Sequence, residues 1–304
     1  MFRIALVTAQ EALGLDQDLN PLLAALRAEG ADGQALCWDA EVDWSRFHAA
    51  VLRSTWDYVP RLPDFLAWCA RTAQATRLLN PPEVVRWNTD KHYLLDLHRA
   101  GVPVVPTRFV EPGELPLGAL ETFLHRGELS VGQGMAFQEF VLKPTIGAGS
   151  KDAARYHVED LRQALDHLDR LLSQGRSAML QPYLASVDTR GETAVLAFEG
   201  GFSHAIRKGP LLRRGAGLVE GLFAPEEITP RIPTPEEQRV AEAALRAMPF
   251  PTLLYARVDL IEDEAGRPVV LELELTEPSV FFAQGPGSAE RFAKAILRRA
   301  RDIA

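Results

Sequence analysis

The chain has 304 residues, with 33 lysines and arginines against 41 aspartates and glutamates, a net charge of −8, and 47% hydrophobic and 24% charged residues. That length supports two or three domains with their own cores, and the composition is that of an ordinary globular protein. The acidic balance argues against nucleic acid and an anionic membrane surface as partners, and no apolar run approaches the ~20 residues of a spanning helix.

The opening MFRIALVTAQ predicts a strand rather than a signal peptide, because it lacks a long apolar region and a small-residue cleavage site. Cys37 and Cys69 are the only cysteines; with no C-x-x-C spacing they read as packing thiols of a cytoplasmic protein. Residues 1–85 predict a small α/β domain. Strands Phe2–Thr8, Gln34–Trp38, Ala50–Arg53 and Thr76–Asn80 alternate with helices Asp18–Glu29 and Leu62–Ala75, which implies a parallel sheet. No GxGxxG follows the first strand, so a dinucleotide fingerprint is absent. Parallel sheets place ligands beyond the carboxyl ends of their strands. Arg53-Ser54-Thr55-Trp56-Asp57-Tyr58 lies there, and Arg53, Thr55 and Asp57 are expected to meet carboxylate and amine groups of a substrate. The plainer alternative is a loop whose Trp56 and Tyr58 only pack the domain.

Asn80-Pro81-Pro82 predicts a break, and Trp87-Asn88-Thr89-Asp90-Lys91 the start of a helix capped by Asn88 or Thr89. Lys91 near a helix start opposes the macrodipole unless an anion comes there. Val102–Arg108 reads as extended, and Gly127–Gly134 as a mobile loop. A strand over Phe137–Leu142 runs into Lys143 and the small-residue loop Gly147-Ala148-Gly149-Ser150. Glycines let backbone N–H groups approach phosphate oxygens and the lysine supplies charge, although this is no Walker loop. Ala153–His157 predicts a strand, Val158–Gln174 an amphipathic helix, and Ala178–Leu180 a buried strand entering Gln181-Pro182-Tyr183-Leu184. Pro182 should break the ladder there and leave backbone groups free.

Glu192–Phe198 and Phe202–Arg207 predict a hairpin, followed by a glycine-containing loop with Arg213 and Arg214 that seeks anions; Arg213 joins the expected substrate contacts. Thr234–Glu237 is a capping box opening a helix to Ala247. Two β-type runs, Leu254–Ile261 and Pro268–Leu275, then flank a turn containing Gly266. Alternation places Arg257 and Asp259 on one face of the first strand and Glu272 and Glu274 on one face of the second, with Val258, Leu260, Leu271, Leu273 and Leu275 opposite. If the acidic faces coincide, three carboxylates crowd together, and Mg²⁺ resolves their repulsion. The bland alternative is a solvated acidic face. Ser288–Ile303 predicts a closing helix.

This ordered set resembles the ATP-grasp superfamily over most of the chain, most clearly residues 80–282. The pieces are Lys91, Lys143 with its loop, the QPYL hinge, Gly191-Glu192 and the R-x-D…E-x-E hairpin. The hairpin is similar to that of D-alanine–D-alanine ligase and glutathione synthetase, and RSTWDY with WNTDK is similar to the group of the D-cycloserine cyclo-ligase. The resemblance implies an α/β fold, α+β in its central and C-terminal domains. It implies a Rossmann-like pre-ATP-grasp domain (1–85), a central ATP-grasp subdomain with a glycine-rich lid (86–180) and a C-terminal domain with the metal hairpin (181–304). It places ATP between the last two. Lys91, Lys143, Gly147, Gly149 and Ser150 would contact phosphates, Gln181, Tyr183 and Leu184 the adenine, and Glu192 the ribose. Asp259, Glu272 and Glu274 would hold two Mg²⁺, with Mn²⁺ satisfying the same ligands, and Arg257 and Arg207 would face the reacting oxygens. Glu274 stands where relatives have asparagine, and Gln181 where many have glutamate.

The implied activity is ATP-dependent carboxylate–amine (or other nucleophile) ligation on a small amino-acid-like substrate. It would run through an acyl phosphate and release ADP and phosphate. The partners are then small molecules, with no nucleic acid or membrane, and a homodimer is compatible with the sequence. The alternatives are a non-catalytic nucleotide-binding sensor or scaffold, and a phosphotransferase of the same fold.

Overall fold

The computed structural model describes residues 1–127, 129–132, 137–212 and 226–301. Its first sheet holds β1 (Arg3–Thr8), β2 (Asp32–Cys37), β3 (Ala49–Ser54) and β4 (Leu78–Leu79) in the order β2-β1-β3-β4, all parallel. β1 and β3 are apolar nearly throughout because helices cover both faces. α2 (Leu62–Ala75) packs Phe65, Trp68 and Cys69 against Trp38 and Leu52 on one face. On the other, α1 (Leu19–Ala28) presents Leu22 and Leu26 to a core shared with Phe292 and Ile296 near the chain's end.

β4 is shorter than the expected strand. The Asn80 side chain leaves the ladder to accept from Leu254 N (3.0 Å) and donate to the carbonyls of Tyr255 and Leu275 (3.0 and 2.8 Å). The expected break after Asn80 is instead the start of α3 (Pro82–Asn88), with Pro82 in the first turn, where a missing N–H costs nothing. Asn88 therefore ends one helix rather than capping the next, which is α4 (Tyr93–Arg99). Its amide donates to Leu273 O and accepts from Leu275 N, both at 2.7 Å. Lys91 lies in the turn between these helices.

The second sheet is antiparallel, in the order β5-β8-β6-β7: β5 (Arg108–Val110), β6 (Glu139–Pro144), β7 (Ala154–His157) and β8 (Ala178–Pro182). α5 (Pro116–Arg126), which the sequence reading did not anticipate, and α6 (Leu161–Ser173) close its core with Phe123, Leu168 and Leu171.

The third sheet follows α7 (Ser186–Arg190). It runs β11-β10-β9-β12-β13: β9 (Glu192–Phe198), β10 (Gly201–Lys208), β11 (Ile228–Arg231), β12 (Tyr255–Glu262) and β13 (Pro268–Glu274), all antiparallel. α8 (Pro235–Ala247), opened by the expected Thr234/Glu237 capping box, covers one face over Val195, Val258 and Leu260. The other face changes character along the strands. At one end Phe198, Leu196 and Tyr255 pack against Phe292 of α9 (Ser288–Arg301). At the other end the same face carries Glu192, Arg257 and Asp259, and there the site forms. No described helix is long and apolar enough to cross a membrane.

The segment from Thr276 to Phe282 joins the third sheet to the first. Asp18, 5% exposed, accepts the N–H groups of Val280, Phe281 and Phe282 at 2.6, 2.9 and 2.8 Å. Three charge-assisted bonds to one buried carboxylate fix that segment. Asp18→Ala is expected to strand these donors and lower stability by about 3 kcal/mol, read from the shift of the urea midpoint.

Candidate active site

The register of β12 and β13 pairs Arg257 with Glu274 and Asp259 with Glu272, so the two charged faces coincide as alternation requires. Gly266 closes the turn at φ +75. The register shifts between Asp259 and Leu260, which pairs with Val270 rather than Leu271. This bulge turns Leu271, expected on the buried face, into the cavity beside Ile261.

Asp259 is 1% exposed and both of its oxygens are taken. Oδ1 accepts from Arg257 Nε at 2.9 Å, and Oδ2 from Arg257 Nη2 at 3.0 Å and Lys208 Nζ at 2.7 Å. Burial opposes its ionisation, but Arg257 and Lys208 outweigh it and hold the carboxyl at about 2. Arg257 also pairs with Glu274, and Lys208 with Glu192 at 2.7 Å. Lys91 pairs with Glu272 at 3.0 Å and donates to Gly147 O at 3.1 Å. Burial works against the Glu272 carboxylate, yet Lys91 and Lys143 keep its pKa low. Glu274 goes the other way, to about 8, through burial and the charges of Asp259 and Glu272, against the pull of Arg257.

Lys143, at the end of β6, makes no ion pair within 4 Å among the described residues. Burial and the neighbouring Lys91 push its pKa down, while Glu272 resists. Three ammonium groups, Lys91, Lys143 and Lys208, thus line one cavity of about 160 Å³ with Glu272, Glu274, Arg257 and the Gly147–Ser150 loop. Gly149 and Ser150 hold φ near +60, and the serine does so at a cost. A second cavity of about 120 Å³ shares Lys143, Lys208, Glu272 and Ser150, and continues between Val141, Leu184 and Ile261 to Gln181, Tyr183 and Glu192.

Several expected residues are placed differently. Of the three carboxylates expected on metal, Glu272 and Glu274 line the cavity, while both oxygens of Asp259 are held by Lys208 and Arg257. Arg207 does not join Arg257. It pairs with Thr193, on the α8 side of the sheet, and its Nε donates to Arg190 O at 2.8 Å. Lys208, one residue later, carries the charge on the site face. The strand runs one residue past its expected end at Arg207, and Lys208 pairs there with Glu192.

The face of RSTWDY is reversed as well. Arg53 and Thr55 are 0% exposed. The guanidinium donates to Pro278 O at 2.9 Å and lies between the Tyr255 and Phe292 rings. Asp57 accepts from Trp38 Nε1 at 2.8 Å. Trp56 and Tyr58, which only the plainer alternative singled out, as packing residues, line the cavity. Glu277, which carries no motif signal in the sequence, lines it too. Arg213 lies outside the described residues. The hinge backbone is only partly free, because the Tyr183 amide donates to Glu139 O at 2.8 Å and the strand runs on through Pro182. The Gln181 side chain binds Thr107 Oγ1 at 2.9 Å.

Residues 4–80 match the family model of the N-terminal domain of the D-cycloserine synthetase DcsG. The chain is 42% identical to the cycloserine biosynthesis protein DcsG of Streptomyces lavendulae, over 97% of this chain and 98% of that protein. The crystal structure of D-cycloserine synthetase DcsG aligns with a TM-score of 0.88 at 41% identity, covering 98% of this chain and all of the other. The D-alanine–D-alanine ligase of Bacillus anthracis, solved with ATP, aligns at a TM-score of 0.66 and 15% identity over 99% and 97% of the two chains, a likeness of fold.

Proposed function

The chain belongs to the DcsG family of ATP-grasp ligases, and from that premise we propose that this ATP-dependent ligase activates the carboxyl group of a small amino-acid-like substrate as an acyl phosphate and joins it to a nitrogen. One observation carries the reading: three lysines, a glycine loop and two glutamates share one cavity. Such a set suits a polyphosphate and a divalent ion and little else.

In this reading Lys91, Lys143 and the backbone of Gly147, Gly149 and Ser150 hold the phosphates. The apolar slot by Gln181, Tyr183 and Leu184 takes the adenine, and Glu192 takes the ribose. The units 1–85, 86–180 and 181–304 act as the three domains.

Glu272 and Glu274 fit Mg²⁺: both face the cavity with 26% of the side chain exposed, and each has one oxygen in an ion pair, with Lys91 and Arg257 respectively. Mg²⁺ is commonly held by one or two carboxylates plus substrate phosphates. When bound, it would neutralise phosphate charge. A second ion, or Mn²⁺ in either place, belongs to the same proposal and calls on Asp259 to exchange Lys208 for metal.

The substrate carboxylate oxygen attacks the γ-phosphorus and ADP leaves; the nitrogen then attacks the acyl carbon and phosphate leaves with that oxygen. Arg257, lining the cavity and fixed by Asp259, faces the oxyanion that forms. The name of the DcsG relatives points to the joined groups lying in one molecule. A cycloserine ring is closed by a bond between its carbonyl carbon and a nitrogen.

Product analysis tests this. ADP and phosphate are expected in equal amounts, and only with a substrate bearing both groups. AMP and pyrophosphate would contradict it, and a product retaining the phosphoryl group would make the enzyme a phosphotransferase.

A further inference from the structure

Beyond Arg257 and Glu274 the larger cavity ends in a different wall, made by Trp56, Tyr58, Glu277, Ser279 and Phe281. Glu277 is set there by its backbone. Trp56 Nε1 donates to its carbonyl at 3.0 Å, Arg53 to Pro278 O at 2.9 Å, and Tyr255 Oη to Thr276 O at 2.7 Å. These bonds, with those of Asp18, explain why Arg53 is buried: it positions the segment that forms the wall. The Tyr58 ring and the Glu277 carboxylate lie in the same wall. Among the described residues Glu277 makes no ion pair within 4 Å. The cations that face it, Lys91 and Arg257, are engaged elsewhere, with Glu272 and with Asp259 and Glu274. Burial, with Glu272 adding to it, lifts the Glu277 carboxyl to about 7 against the influence of Tyr58, Lys91 and Arg257, as expected of an anion short of a partner.

We propose that Glu277, flanked by the rings of Trp56 and Tyr58, receives the ammonium group of the substrate, so that the enzyme selects a small amino acid with a free α-amine. The assignment rests on the ligase reading above. A carboxylate beside two aromatic rings attracts a compact cation by charge and by the ring quadrupoles. Trp56 and Tyr58 follow β3 of the first sheet and Glu277 follows β13 of the third, so the cation is held where the two units meet. The pairing also has a chemical consequence. An amine held as ammonium has no lone pair, so it cannot attack an acyl phosphate, and a different nitrogen becomes the nucleophile.

The test uses the whole enzyme with ADP and Mg²⁺, and calorimetric titration with two probes, D-cycloserine and isoxazolidin-3-one, the same ring without its amine. Wild type is expected to bind D-cycloserine about 30-fold more tightly. Glu277→Gln should bring the two affinities within about threefold while leaving Mg·ADP affinity unchanged, and Glu277→Asp should restore part of the preference. Equal binding of both rings by wild type overturns the assignment without any variant. So does a Glu277→Gln enzyme that keeps the preference, or one that loses Mg·ADP affinity, which would mark Glu277 as a metal ligand. Wild type that binds Mg·ADP but neither ring would overturn the substrate reading beneath it.

Discussion

Lys143→Met is expected to lower kcat/KM by about 10³-fold and to leave the enzyme without ligands at least as stable as wild type. Both halves have one cause. Lys143 is an ammonium placed in a half-buried cavity with no ion pair within 4 Å among the described residues, and burial and Lys91 depress its pKa. A base whose folded pKa is depressed penalises the fold while it is charged. The penalty is fully present below the folded pKa and is relieved as pH rises toward the ordinary lysine value of about 10.5. Methionine keeps the aliphatic stem and removes the penalty. What is lost is a cation poised for phosphate, and with it the stabilisation of charge as the phosphoryl group moves. Thermal melting and steady-state kinetics on the same preparation check this. A clear fall in melting temperature, or turnover within tenfold of wild type, would count against a lysine kept for its substrate.

Asp259→Asn is expected to reduce both stability, by about 3 kcal/mol, and turnover, by about 10²-fold or more. Asp259 is the node between Arg257 and Lys208 on a sheet face closed to water. Removing its charge leaves two buried cations sharing Glu274 and Glu192, and Arg257 loses the clamp that aims it. The pH dependence has a definite sign. The folded carboxyl titrates near 2 against an ordinary value of 3.8, so its stabilisation is present above about 4 and disappears as pH falls toward 2. Wild type should therefore lose stability steeply across that interval, and the variant should show a shallower loss. Acid-unfolding curves at fixed salt measure the difference. Wild-type stability together with wild-type turnover in this variant would show that the hairpin plays no part in the reaction.

Much of this was legible in the sequence where the governing interaction is local or repeats along the chain. The hairpin could be read because a period of two and one glycine turn determine which side chains share a face, and Arg257, Asp259, Glu272 and Glu274 do. The strand end at Lys143 and the small-residue loop after it could be placed because a β-type run gives way there to glycines. The failures are non-local. Nothing near Arg53 in the chain announces that Tyr255, Phe292 and Pro278 will enclose it, and that enclosure is what hands the cavity to Trp56 and Tyr58. That Lys208 would hold Asp259 could not be read either, because the two lie 51 residues apart on β10 and β12. Leu271 faces the cavity only because the ladder slips by one residue. The helix at Pro82 was lost to a rule about prolines that holds in helix interiors and reverses in the first turn.

The central claim is that the substrate's own carboxyl oxygen is phosphorylated before the new bond forms. Turnover of substrate carrying ¹⁸O in that carboxyl group, followed by mass analysis of the phosphate released, tests it most directly. The account predicts one ¹⁸O atom in each phosphate and none in ADP. Unlabelled phosphate, or label recovered in AMP, would contradict it.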